Sequence, residues 1–225
     1  MTENALLLAV DTCGPAGSIA LGRVRDAALD LLGEAELAGG EYAALLVQAI
    51  ADLLRTADGG IADLAGIVVV SGPGSFTGIR VGLATVKALA ESLDLPVVTV
   101  SRLTLLAHLA KAECAVLDAH RGQLYCGMYG DGEAREMLLT AGEINSMGGL
   151  TGERPGRVAV CEESVAQLLE ELCGEPELVR VAAPTAVDAL RFSLGRWRAG
   201  EFADVATLDG FYLRGADAKV AARLD

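Results

Sequence analysis

The sequence predicts an α/β protein with two duplicated lobes, each built on a mixed central sheet. Three observations carry that prediction. Strand-like and helix-like runs alternate along the chain. The segments LLLAVDTCGPAGSIALG and CAVLDAHRGQLYCGMYG share one grammar: an apolar strand, a terminal Asp, a short polar turn, a second strand. Mixed α/β sequence follows both copies.

Taken in order, Ala5–Val10 is an apolar run that stops at Asp11, and Thr12–Gly17 is turn-rich. Ser18–Leu21 reads as a second strand and Asp26–Leu32 as a third. After Gly39-Gly40, the spacing of Tyr42, Leu45, Leu46, Ala49, Ile50, Leu53 and Leu54 predicts a helix over Glu41–Thr56. Gly66–Val70 is a short β-branched strand. Gly72–Gly78 is a loop, Ile79–Leu93 a second helix, and Val97–Val100 a strand. Ser101 caps a helix that runs to about Lys111. The second copy then begins: Ala115–Leu117 ends at Asp118, and Gln123–Tyr129 alternates as a strand. Arg157–Cys161 and Leu178–Val181 read as strands, Glu163–Leu172 and Thr185–Ala199 as helices. The division falls near the Ser101 helix, giving lobes 1–103 and 104–225. No Pro/Ser-rich linker marks it, so the lobes are expected to be tightly joined.

Composition narrows the function. The chain has 225 residues, 52% hydrophobic and only 4% aromatic, so Ala, Val and Leu must fill the core. The net charge of −13 argues against gripping a phosphate backbone unaided, because that affinity comes from clustered Lys and Arg. Mean hydropathy is high at +0.41, yet the apolar stretches fall well short of the roughly 20 residues of a spanning helix. Met1-Thr2-Glu3-Asn4 has no basic stretch and does not read as a secretory signal. Cys13, Cys114, Cys126, Cys161 and Cys173 are odd in number and widely spaced, without CxxC. They read as free thiols in a reducing cytoplasm.

Two features carry candidate chemistry. In Ser71-Gly72-Pro73-Gly74-Ser75-Phe76-Thr77-Gly78-Ile79-Arg80 a buried strand runs into a glycine-rich loop and a helix N-terminus. Unpaired amides and the positive helix end favour an anion there. Gly72 and Gly74 permit close approach, Ser75 and Thr77 supply hydroxyls, and Arg80 supplies charge. The Gly-Lys-Ser/Thr ending of a Walker loop is missing. The plainer alternative is a tight strand-to-helix turn with ordinary caps. Asp11 and Asp118, at equivalent strand ends, can hold a metal-phosphate or activate a hydroxyl. Equally, each can cap its own turn. Only His108 and His120 are present, without metal-ligand spacing.

The helices over 41–56 and 78–93 are candidates for a partner. Small residues at Gly78, Gly82, Ala84, Ala88 and Ala90 let another helix approach. Leu83, Val86 and Ala90 widen the apolar stripe of the second helix beyond Ile79, Val81 and Leu89. A stripe that wide predicts a docking face made by Tyr42, Leu45, Leu46, Ala49, Gly82, Leu83, Val86, Leu89 and Ala90.

GIVVVSGPGSFTGIRVGLATVKALAESLDLPVVTVSRLTLLA, with LLLAVDTCGPAGSIAL, VLDAHRGQLYCGMY and the terminal GFYLR, resembles the TsaB (YeaZ) family. From about Glu133 to Phe202 little resemblance remains. It implies an actin-like/Hsp70-like ATPase (ASKHA) fold, in agreement with the duplication. It also implies a non-catalytic paralogue of TsaD, the subunit that transfers a threonylcarbamoyl group to the adenosine beside the tRNA anticodon. The implied partners are a TsaD-like catalytic subunit and a TsaE-like ATPase, with tRNA met only through the complex, a homodimer when the partner is absent, and no membrane. No cofactor is expected on this chain alone; ATP or ADP is left to the complex interface. The metal-binding histidines that TsaD-like enzymes carry on the first helix are absent here, where it begins Gly39-Gly40-Glu41-Tyr42. The equivalent of the adenosine-binding Gly-Gly turn is Val160-Cys161-Glu162-Glu163, whose carboxylates repel phosphate. No independent ATP turnover is therefore expected. The rival expectations are a small-molecule kinase using Asp11, Asp118 and the 72–78 loop, and a glycoprotease-like peptidase, which lacks a zinc triad here.

Overall fold

The computed structural model describes residues 4–25, 28–130, 134–146, 156–173 and 177–213. They form two compact units: Met1–Ser101 with Thr185–Phe211, and Arg102–Pro184 with Tyr212–Asp225.

The first unit holds strands β1 (Asn4–Asp11), β2 (Gly17–Arg25), β3 (Ala28–Leu37), β4 (Leu64–Gly72) and β5 (Val97–Ser101) in the order β3-β2-β1-β4-β5. β1 is antiparallel to β2, with Asp11 opposite Ser18. It is parallel to β4, which is parallel to β5. Ala5–Val10 and Ile67–Val70 are almost wholly buried, because central strands covered on both faces need continuous apolar sequence. Helices α1 (Tyr42–Thr56) and α2 (Phe76–Leu93) pack on this sheet and on each other. α2 begins three residues earlier than the apolar period suggests, because Ser75 caps it by accepting the Gly78 amide at 3.2 Å. Asp94, in the left-handed region, ends it.

The second unit repeats the plan. After α3 (Arg102–Ala110) come β6 (Cys114–Asp118), β7 (Gln123–Met128), β8 (Arg135–Thr140), α4 (Ala141–Ser146), β9 (Arg157–Val160), α5 (Glu163–Cys173) and β10 (Glu177–Arg180). The order β8-β7-β6-β9-β10 is that of the first sheet, with the same antiparallel and parallel pairings. Val116, Cys126, Val158, Val160, Val165 and Leu169 form its core. The duplication expected from the two matching segments is thus a duplication of topology.

Several details differ from expectation. The third strand runs Ala28–Leu37; Asp26 and Ala27 lie outside the described residues. β8 and α4 were not foreseen. The largest difference is residues 185–211, which were expected in the second lobe. Here α6 (Ala186–Phe192) packs on β1, β2 and β4, and its first amide donates to Ser18 Oγ at 2.8 Å. α7 (Leu194–Ala199) brings Trp197 so close to Gly66 that a Cβ there would meet the indole at 2.1 Å. The chain then covers the open edge of β5. Ala203 N–H donates to the Val97 carbonyl at 2.8 Å, and Arg196 Nη1 to the Thr99 carbonyl at 2.6 Å. Covered edges do not recruit foreign strands. An amphipathic helix fits either sheet, so its period alone does not say which sheet it joins.

Candidate functional site

In parallel sheets, ligands bind beyond the carboxyl ends of the strands. In the first unit this place is occupied by the protein itself. Asp11 is 2% exposed and accepts the Cys13 amide through Oδ1 at 2.8 Å, so it caps its own turn. Thr12 Oγ1 donates to the Gly78 carbonyl at 2.7 Å, and the Ser75 amide donates to the Cys13 carbonyl at 2.8 Å. A Cβ on Gly74 would lie 2.2 Å from the Cys13 carbonyl oxygen, and one on Gly78 2.0 Å from that of Thr12. These glycines serve contact between the β1–β2 turn and the α2 N-terminus. Gly72, at φ +125°, lies beneath the Phe211 carbonyl. Thr77 is exposed, and the Arg80 guanidinium stacks 3.8 Å above the Phe76 ring of its own helix. The Ser75 and Gly78 amides, which the sequence offers to an anion, are thus already used.

In the second unit Asp118 also caps its turn. Its Oδ1 accepts the His120 amide at 2.7 Å, and Oδ2 lies 3.0 Å from His120 Nδ1. His120, Arg121 and Gly122 are all left-handed, at φ 60°, 57° and 73°. Glu162, read from the sequence only as a carboxylate that repels phosphate, and Arg102, given no role there, join this turn. Glu162 Oε2 accepts the Asp118 amide at 2.7 Å. Burial pushes the Glu162 carboxyl above its ordinary value, and Asp118 adds to the shift; the amide bond, Arg102 and His120 oppose it. Arg102, 5% exposed, supplies the neighbouring positive charge. The available signal for Arg102 was a charge at the head of an otherwise apolar helix. Burial also pushes the Cys161 thiol to about 11. Among the described residues no group of three His, Cys, Asp or Glu is placed to hold a metal ion.

The predicted docking face must be corrected. Tyr42, Leu46, Gly82, Leu83, Val86 and Ala90 are buried inside the unit. The wide stripe on α2 is wide because α1, the sheet and the β1–β2 turn all pack on it. Leu45 is 37% exposed; Ala49 and Leu89 are half-buried. The free apolar surface lies one step round the helices. Val47 is 65% exposed and Ile61, on the 3₁₀ turn after α1, is 43% exposed. With Leu54, Thr85 and Leu89 they line a groove of about 320 Å³ between α1 and α2.

Over residues 36–146 the chain matches the family model described as TsaD, tRNA N6-adenosine threonylcarbamoyltransferase. The tRNA threonylcarbamoyladenosine biosynthesis protein TsaB of Bacillus subtilis is 45% identical over 85 residues, 36% of this chain and 37% of that protein. The TsaB of Escherichia coli is 31% identical over 129 residues, 55% of this chain and 54% of that protein. The structure of YeaZ from Pseudomonas aeruginosa superposes with a TM-score of 0.71 at 26% identity, covering 93% of this chain and all of that one. In sequence over its first part and in fold over most of its length, the chain is similar to the TsaB/YeaZ proteins. The matched segments span about half or less of the curated relatives' length. The likeness to YeaZ extends into the second half, where the sequence carries little resemblance. The TsaB/YeaZ architecture is the expected ASKHA fold. Among the described residues no helix is long and apolar enough to cross a membrane.

Proposed function

We propose that this chain is a non-catalytic subunit of the assembly that installs threonylcarbamoyladenosine in tRNA, and that it docks on a TsaD-type catalytic partner through the groove between α1 and α2. The observation that carries this reading is the exposed apolar rim of Val47 and Ile61 beside that groove. Such a patch is characteristic of an interaction site. The match to a TsaD model covers residues 36–146 and so includes both helices. A TsaD-type partner therefore offers related helices, and the two chains can pair about a pseudo-two-fold axis. When that partner is absent, a second copy of this chain takes its place as an isologous homodimer.

A TsaE-type ATPase completes the assembly. The charge of −13 fits tRNA contact made mainly by the other subunits. The proposed chain holds no nucleotide of its own and acts in the cytoplasm. The internal use of the glycine loop supports that reading, since its amides already have partners.

The test mixes the purified chain with the TsaD-type subunit of the same source and follows co-elution on size exclusion. Co-elution that is lost on Val47→Arg supports the proposal. No complex with the unaltered chain, or one indifferent to Val47→Arg, overturns it.

A further inference from the structure

In an Asp-Gly pair the next main-chain nitrogen readily reaches the aspartate carboxyl carbon, because glycine has no Cβ to obstruct it. The sequence has three such pairs: Asp58-Gly59, Asp131-Gly132 and Asp209-Gly210. Asp131-Gly132 lies outside the described residues. The other two are held differently. The Gly59 amide donates to the Leu54 carbonyl at 2.9 Å, and Asp58 sits in the left-handed region at φ 52°. That amide is engaged at the end of α1. The Gly210 amide instead donates to Oδ1 of Asp209 itself, at 2.7 Å. Asp209 is exposed, and no main-chain carbonyl among the described residues accepts the Gly210 amide. The pair is also anchored on both sides. Lys87 Nζ donates to the carbonyls of Ala206 at 3.4 Å and Leu208 at 3.1 Å. The Phe211 amide donates to the Ser71 carbonyl at 2.8 Å. Residues 206–211 are thereby strapped to α2 and to the end of β4.

We propose that Asp209-Gly210 is a site of spontaneous covalent modification, where aspartate isomerises to isoaspartate and releases this strap. The contact to Oδ1 puts the carboxyl carbon one bond beyond a hydrogen-bonded atom, which is a near-attack arrangement. The anchors on either side hold the main chain there. The exposed carboxyl needs only a rotation about Cβ–Cγ to turn its face to the nitrogen. The Gly210 nitrogen bonds to the carboxyl carbon. The N–H proton, a carboxyl oxygen and one solvent proton leave as water, and a cyclic imide remains. Water then adds to the imide and returns the proton to solvent. Opening at the side-chain carbonyl restores aspartate. Opening at the main-chain carbonyl breaks its bond to nitrogen, and the chain continues through the side chain. No oxidant, enzyme or cofactor is required. The product carries one extra main-chain carbon between Leu208 and Phe211. The Lys87 and Ser71 bonds then lose their common register. None of the groove residues takes part, so the inference stands whether or not the chain docks there.

The experiment incubates the full chain at physiological temperature and pH, folded and in urea. Proteolysis and mass spectrometry then map isoaspartate separately at Asp58, Asp131 and Asp209. In the folded chain isoaspartate is expected to accumulate at Asp209 several times faster than at Asp58. In urea, where neither amide keeps its bond, the two rates converge. Asp209→Glu, whose longer side chain needs a larger ring, removes the signal at that position and leaves the one at Asp58. In the aged folded chain the Phe211 amide exchanges with deuterium faster than in the fresh chain. A folded-state rate at Asp209 no greater than at Asp58, or an excess that persists in urea, overturns the proposal. Unchanged exchange at Phe211 in a chain that carries the isoaspartate overturns the release of the strap.

Discussion

The Tyr42 hydroxyl donates to the Gly14 carbonyl at 2.8 Å, and its ring fills the space above Gly17. One residue at the head of α1 thus holds the β1–β2 turn in place. The sequence offered Tyr42 to a partner, and the structure gives it to the core. Tyr42→Phe keeps the ring and is expected to cost about 0.5–1.5 kcal/mol, the net worth of one hydrogen bond. Leu46→Ala, one turn on and 1% exposed, is expected to cost about 2–5 kcal/mol. Urea unfolding of both variants checks the ranking.

Two glycines separate close packing from backbone conformation. Gly122, at φ +73°, has nothing within 4 Å of a built Cβ. Gly122→Ala should cost only the strain of a left-handed residue, about 1–2 kcal/mol. Gly78→Ala drives a methyl to 2.0 Å from the Thr12 carbonyl and must part the turn from α2. Its cost is expected to be the larger, read as the lower unfolding midpoint.

Val86 and Val47 lie on neighbouring elements and will respond differently to arginine. Val86 is 0% exposed, so Val86→Arg buries an unpaired charge and should yield insoluble or unfolded protein. Val47→Arg, at a 65% exposed position, should leave the circular dichroism spectrum and melting curve unchanged while weakening the complex. A folded Val86→Arg would show that α2 is less closely packed than described.

Glu162 gives stability a dependence on pH. Its carboxyl is raised in the folded state above the ordinary 4.5, so the folded chain holds the proton more tightly than the unfolded one. The resulting contribution is full below about 4.5 and is lost as pH rises through the raised value. Glu162→Gln cannot lose it. The variant should match the parent near pH 4 and exceed it near neutrality, as urea midpoints at the two pH values will show. A constant difference between the two would assign the effect to something other than this proton.

Cys114 and Cys161 should be sluggish thiols. Burial pushes both from 9.0 to about 11, with Glu113 and Glu162 adding to the effect. The thiolate fraction near pH 8 is then roughly a hundredfold below that of an ordinary cysteine. Alkylation by iodoacetamide should be slow in the native chain and fast in urea. Rapid native labelling of Cys161 would contradict the environment described.

The candidate sites were legible in part. Asp11 and Asp118 were found as equivalent strand ends because an apolar run that stops at Asp is visible in one dimension. Whether the carboxylate faces a ligand or its own turn was not, because that depends on where Cys13 and His120 place their amides. Glu162 meets Asp118 across 44 residues of chain, a distance no local pattern spans. The docking face was misplaced because hydrophobic periodicity reports which side of a helix is apolar and not how many neighbours cover it.

The sequence by itself determined the alternation of strands and helices, the two matching halves and the resemblance to TsaB proteins. These are local or internal relations: the period of apolar residues, the Asp that stops a strand, the glycines that permit a turn. Only the tertiary structure decided that α6 and α7 return to the first sheet, that the glycine loop is filled by the β1–β2 turn, and that Arg102 is buried with its Nε unbonded. Each depends on which apolar face covers which sheet, and burial is a property of the whole fold.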